Sequence, residues 1–394
     1  MAFARVESLQ HEIHAHYGAL RAFRRRRALE RSALWAEIGG EVRRVLGGVE
    51  RGDCPPVPRL PAVPAPGRRV LRAVAWNIQR GARFDDLRRA LLAPPLAGAD
   101  LLLLSEVDVG LGRSGNRNVP RELAEALGMS YAFGVSYLAL TDDFGDDSAG
   151  LENTLALSGA AILSRYPIGR VENIDLPELR DKFHSTEKRL GKKRALLAEV
   201  ALPDGPLAVA ACHLDSNASP AQRACQLGGV IDSVRRSGVA RALVGGDFNT
   251  STYDVSSTLA LARDLLHKLF VTGLRATIDN YLTPEKRYEQ PVFELLRARD
   301  FVVEGFNDRG TGTYFYDLTD PYILDRSRKL VGRALTRLLV RLLRPWNGCV
   351  PARLDWFAGH NVTPVAAAVE RPRAASDGRP LSDHSAVIVD VALS

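Results

Sequence analysis

Cysteine is scarce in this 394-residue chain, and the four present (Cys54, Cys212, Cys225, Cys349) show no C-x-x-C pair or other metal-ligand spacing. Neither a thiolate metal centre nor a disulfide scaffold is indicated, and nothing calls for an oxidising compartment. Cys212, inside an apolar run, reads as a reduced, buried thiol. Long apolar stretches are missing as well. None approaches the roughly 18 residues of a membrane span, and the first turn of sequence lacks the apolar core of a secretory signal. A soluble, cytoplasmic protein is the expectation. Aromatic residues make up 7% of the chain and do not interleave with basic ones, which argues against a base-stacking platform. No repeat period is evident, which excludes solenoids and propellers.

What is present is an ordinary globular composition, 46% hydrophobic and 25% charged, sufficient for one large domain with an appendage. The net charge of +7 is uneven: residues 1–70 carry 13 Arg against 7 Asp and Glu, leaving the rest nearly neutral. So balanced a main domain is a poor general DNA binder. Residues 4–47 place Leu20, Phe23, Leu29, Leu34, Ile38, Val42 and Leu46 at helical spacing, with Gly47-Gly48 as a stop. Six prolines between Asp53 and Gly67 cannot continue a helix. The expected division is a helical extension over 1–49, a Pro-rich linker over 50–69 and a main domain over 70–394. Strands are expected at Val70–Ala75, Leu101–Leu104, Ala160–Leu163, Leu196–Leu202, Leu207–Cys212, Ala242–Val244, Leu354–Phe357 and Ala386–Val391. Helices are expected at Phe84–Leu92, Pro120–Leu127, Pro220–Ser237, Val255–Leu269 and Ser327–Leu343. This mixture predicts a layered α/β sandwich.

Several of these strands end in a hard ligand. Leu101–Leu104, buried on both faces, delivers Glu106, a carboxylate that is costly there unless it meets a cation; taken singly it is equally a structural charge. Asn77 follows Trp76 in the same manner. Such oxygen donors suit Mg²⁺ or Mn²⁺. In Gly245-Gly246-Asp247-Phe248-Asn249, strand alternation points Asp247 and Asn249 to one side, where an Asp aligns or deprotonates water; an Asx turn is the alternative. Ser382-Asp383-His384 precedes the last strand, and His384 has a candidate carboxylate partner in Asp355, unless that residue pairs with Arg353. His213, at the end of Leu207–Cys212, suits leaving-group protonation or phosphate contact, and Arg194 a bidentate phosphate clamp.

Taken in order, Asn77, Glu106, His213, Gly-Asp247-x-Asn249, Arg-Leu-Asp355-Trp and Ser-Asp383-His384 resemble the endonuclease/exonuclease/phosphatase superfamily, the DNase I-like proteins. The Gly159–Ile168 segment fits the same resemblance, as do stretches at Gly112–Asn118 and Arg121–Leu123, which are similar to a poorly characterised bacterial branch. The resemblance implies a four-layered α/β sandwich, with the helical segment as an N-terminal extension. It implies that Asn77, Glu106 and Asp383 hold Mg²⁺ (or Mn²⁺), that Asp247 and Asn249 position or activate water, and that His384, oriented by Asp355, stabilises the transition state. Gln79 stands where apurinic endonucleases carry an acid, and His213 also leans away from that group.

Residues 326–344 contain seven Lys and Arg and no acid. In a helix Arg333, Arg337, Arg341 and Arg344 share one face, with leucines on the remainder. This could lean on an anionic membrane surface or a nucleic-acid backbone, or dock its leucines inward and solvate its arginines. The preferred reading is a Mg²⁺-dependent phosphodiesterase or phosphatase for phospholipid headgroups or small phosphoesters, working by metal-assisted attack of water on phosphorus. A DNase-like nuclease is the alternative, and an inactive binding module a third reading that the complete ligand set opposes.

Overall fold

The computed structural model describes residues 5–54, 70–141, 152–178, 181–184, 187–250, 263, 267–319 and 321–393. The prolines of the expected linker and nearly all of the helix expected over Val255–Leu269 lie outside the described residues.

The chain opens with strand β1 (Arg5–Glu7), helices α1 (Tyr17–Ala22), α2 (Arg26–Glu30) and α3 (Ala33–Gly47), and strand β2 (Val49–Asp53). Next come β3 (Val70–Arg80), α4 (Phe84–Leu91), β4 (Leu101–Val109), α5 (Val119–Leu127), β5 (Ser130–Ala139), β6 (Leu157–Ser164), β7 (Ile168–Asp175), β8 (Arg189–Gly191), β9 (Arg194–Leu202) and β10 (Gly205–His213). The second half holds α6 (Pro220–Arg236), β11 (Ala242–Asp247), α7 (Leu274–Leu282), α8 (Gln290–Ala298), β12 (Tyr314–Asp317), α9 (Pro321–Val331), α10 (Arg333–Leu342), β13 (Cys349–Ala352), β14 (Asp355–His360), β15 (Val362–Glu370) and β16 (Ala386–Leu393).

Two sheets form the centre. The larger runs β1-β2-β5-β6-β4-β3-β16-β15, with β8 on β5; the smaller runs β14-β11-β10-β9-β7. Alternate residues of each strand go to different cores, as a pleated strand requires. In β3, Leu71, Ala73 and Ala75 face the other sheet, whereas Val74, Trp76 and Ile78 pack with Ile38 and Val42 of α3, Leu87 of α4 and Leu123 of α5. On the far side, Ala208, Ala210 and Cys212 of β10 meet Leu227 and Val230 of α6 and Val292 and Phe293 of α8. The result is the four-layered α/β/β/α sandwich. Cys212 is a free, buried thiol.

Differences from the expected elements have local causes. The helix expected over Ser327–Leu343 is two helices broken at Gly332, whose φ of 83° no helical residue adopts. Residues 50–53, expected in the linker, are strand: β2 pairs with β5 and carries β1 on its other edge. Glu50 explains why. Its buried carboxylate accepts from the Leu9 amide, Asn118 and the Tyr131 hydroxyl, so the extension is tied into the large sheet through charge-assisted bonds. β7 escaped notice because most of its side chains are exposed or half-buried and leave no apolar run to read, and β15, an edge strand, because Pro364 and three alanines are residues that strands usually avoid.

Candidate active site

The site is where the inter-sheet core runs out of apolar residues. The inward phase of β3 continues from Ala75 to Asn77, that of β4 from Leu103 to Ser105, that of β10 from Ala211 to His213 and that of β11 from Leu243 to Asp247; in β14 it runs back from Phe357 to Asp355. Pairing aligns these ends laterally, Asn77 with Ser105, His213 with Asp247, and Asp247 with Asp355. Gly245 and Gly246 permit this crowding. A Cβ at Gly245 would lie 2.4 Å from the Phe357 ring, and one at Gly246, at φ +130°, 2.2 Å from the Cys212 carbonyl oxygen.

Glu106 reaches the same mouth by a different device. The strand does not stop at Leu104 but continues to Val109, with a bulge between Ser105 and Val107 and Glu106 itself at φ 51°. Bulges of this kind re-aim one side chain. Glu106 lines a cleft with Arg80, Arg189, Lys193 and His213.

Asp247 is the hub. Its Oδ2 accepts from Asn77 Nδ2 at 3.2 Å and lies 3.4 Å from His213 Nε2 and 3.8 Å from His384 Nε2. Asp247 Oδ1 accepts the Asn249 amide at 2.9 Å, and Asn249 stands at φ 49°. The two are therefore brought together by an Asx-type turn rather than by the strand alternation expected, because β11 ends at Asp247 and Asn249 donates its own amide to the Leu214 carbonyl. His384 Nδ1 is 2.8 Å from Asp355 Oδ2. Arg353 does not compete for Asp355: its guanidinium is taken by the Asp308 and Thr311 carbonyls and Asn307. The Ser382–His384 turn is pinned to the end of β3, with Ser382 Oγ donating to the Asn77 carbonyl and Trp76 Nε1 to the His384 carbonyl.

The charges are mutually perturbed. Burial alone would raise the Glu106 carboxyl, but surrounding cations, Arg80 foremost, hold it well below the usual carboxylate range. Burial raises Asp383, with Glu106 and Asp247 adding to the effect against the pull of His384. His384 would lose its charge to burial, yet Asp355 and Asp247 lift it well above an ordinary imidazole. His213 is pushed down to about 4 by burial and by Lys193. Lys193 is itself lowered to about 8 by burial, opposed by Glu106 and Asp247.

A divalent cation suits this donor set. No described residue donates a hydrogen bond to the Glu106 carboxylate, and Asp383 is raised by burial and by the neighbouring acids Glu106 and Asp247, whose repulsion a cation would relieve. Asp247, Asp355 and His384 also offer ligand atoms within 4.8 Å of one another. That trio is better read as a proton and hydrogen-bond network, since Asp355 occupies Nδ1 of a His384 that favours its charged form, and an imidazolium has no lone pair for a metal.

One expected residue lies elsewhere. Arg194 forms an ion pair with Asp175 and donates to the Asn173 carbonyl, because its place in β9 sets it beside Asp175 of β7. The cations that line the cleft are Lys193, Arg80, Arg113 and Arg189. Glu187 braces three of them, contacting Arg80, Arg113 and Arg189. The Lys192-Lys193-Arg194 run carried the signal, but only the fold decides which member faces inward.

The chain belongs to the endonuclease/exonuclease/phosphatase family, whose model matches residues 74–384. Members of this family are typically phosphoester hydrolases and commonly use divalent metals. Solved structures similar to it include an endonuclease/exonuclease/phosphatase from Beutenbergia cavernae DSM 12333 (18% identity, 83% of this chain and 72% of that one, TM-score 0.47). A 3′–5′ exonuclease from Neisseria meningitidis (14% identity, 81% and 98%, TM-score 0.44) and a beta toxin from Staphylococcus aureus (13%, 81% and 99%, TM-score 0.44) are also similar. No curated protein matches the sequence.

Proposed function

We propose that this protein is a Mg²⁺- or Mn²⁺-dependent phosphoester hydrolase acting on a phosphodiester or phosphomonoester of a small molecule or lipid headgroup. The observation that carries the reading is the convergence on Asp247, at the end of β11, of Asn77 and His384 from the large sheet and of His213 from the neighbouring strand of the small one.

Asn77, Glu106 and Asp383 would hold the cation, which when bound supplies positive charge against the phosphoryl oxygens. Asp247 accepts the proton of the attacking water, and the Asn77 amide and the turn to Asn249 fix its orientation. His384, held by Asp355, presents Nε2–H to the oxygen on which charge develops. His213, neutral near pH 7, offers a hydrogen bond toward the leaving group. Lys193 and Arg80 draw the anionic ester toward Glu106 and its neighbours. The near-neutral main domain favours a compact ester over a long nucleic acid, whose affinity rests on many phosphate contacts.

The test is a panel of aryl phosphates, phospholipids, plasmid and oligonucleotides incubated with Mg²⁺ or Mn²⁺. Metal-dependent turnover of an ester by wild type, lost in Asp247→Ala, supports the reading. Inertness of wild type across the panel, or full activity in Asp247→Ala, overturns it; plasmid nicking alone would establish the nuclease instead.

A further inference from the structure

The α9–α10 excursion between β12 and β13 plays no part in the chemistry above, yet it combines unpaired arginines with exposed aliphatic side chains. Most arginines elsewhere meet a carboxylate or carbonyl. Among the described residues, none pairs with Arg328, Arg333, Arg337, Arg341 or Arg344. The helix is not simply a solvated one. Thr336 and Leu343 are buried, and Leu343 joins a small cluster with Ile278, Tyr281 and Ile323. Away from that face, Leu338 (42%) and Leu342 (37%) are exposed along one edge of the arginine stripe and Val340 (36%) along its other edge. Arg328, Lys329, Arg333 and Arg337 with Asp325 also line a notch between the two helices, a shape open to a phosphate group.

We propose that this excursion is a docking surface for an anionic lipid bilayer. Dense unpaired positive charge would serve a lipid headgroup layer or a nucleic-acid backbone alike. Exposed aliphatic side chains distinguish the two: they gain by entering the headgroup–acyl boundary and gain nothing against a phosphodiester backbone. The fold also orients the surface. Tyr314 of β12 packs on His384 with ring centroids 5.1 Å apart, and the Ser385 amide donates to the Thr313 carbonyl at 2.7 Å. The base of the ribbon that carries the helices is thus fastened beside His384, at the rim of the site. This holds whichever ester the site cleaves.

The test is co-sedimentation of the full chain with phosphatidylcholine vesicles, with and without phosphatidylglycerol, at about 0.15 M salt. The expected result is binding only to the anionic vesicles. Arg333→Gln/Arg337→Gln/Arg341→Gln should weaken it on the order of 100-fold, and Leu338→Ser/Leu342→Ser about 10-fold or more. Both variants should keep the wild-type circular dichroism spectrum. Failure of wild type to bind anionic vesicles, equal binding to both compositions, or insensitivity to either variant overturns the proposal. Binding to a DNA duplex that the leucine variant leaves unchanged, without vesicle binding, assigns the surface to nucleic acid and equally overturns it.

Discussion

His384 Nδ1 hydrogen-bonds Asp355 Oδ2 at 2.8 Å, joining a turn before the last strand to the end of β14 in the opposite sheet. The bond fixes which imidazole nitrogen faces Asp247 and stabilises the charge on the ring. Asp355→Asn preserves shape but not charge. We expect kcat to fall on the order of 100-fold with KM nearly unchanged, measured on whichever ester the wild type turns over. An unchanged kcat would remove Asp355 from the proposed mechanism.

Glu106 is the carboxylate most exposed to the loss of a cation, since no described residue donates to it. Glu106→Gln should raise the Mn²⁺ concentration needed for half-maximal activity by at least about 10-fold, comparable with losing a supporting residue of a metal site. A matching shift is expected in Mn²⁺ affinity by calorimetry. An identical metal requirement would place the ion elsewhere.

Gly246→Ala is expected to destabilise the protein by about 3 kcal/mol, from a strained positive φ and a Cβ that overlaps the Cys212 carbonyl. Gly229→Ala, within α6 and with nothing close to its Cβ, should instead stabilise by about 0.5–1 kcal/mol. Urea midpoints of the pair measure the contrast, and equal effects would refute it.

The extension should loosen in acid. His11 Nε2 lies 2.8 Å from the Leu155 carbonyl oxygen while Nδ1 accepts the Ile13 amide, an arrangement only the neutral ring with its proton on Nε2 satisfies. Burial lowers its pKa below 6.5, against the opposing bond to Leu155. The unfolded chain therefore binds the proton first. The stability His11 contributes is complete above 6.5 and is lost as pH falls through the lower folded value. Hydrogen exchange around Leu9–Tyr17 should accelerate, beyond the intrinsic rate, between pH of about 7.5 and about 5.5. His11→Phe should abolish that response; a wild type without it would count against the account.

Much of the site was legible because its residues sit where apolar runs stop. Four leucines before Glu106, and apolar runs before His213 and Asp247, announce strand ends in one dimension. β7, whose side chains are mostly exposed or half-buried, left no such trace. Arg194 illustrates the limit: three cations adjoin in sequence, and the fold gives Lys192 and Arg194 to Asp175 of β7 while Lys193 between them lines the cleft.

What the sequence determined by itself is the order of polar residues at strand ends, their chemical types, and a basic segment with no acid, because these follow from composition and periodicity along the chain. Only the tertiary structure decided that these ends meet at one Asp247, that Glu106 turns inward through a bulge, and that the ribbon carrying the basic helices is fastened beside His384. Those outcomes depend on register between strands hundreds of residues apart, and register is set by the packing of whole sheets rather than by any local run.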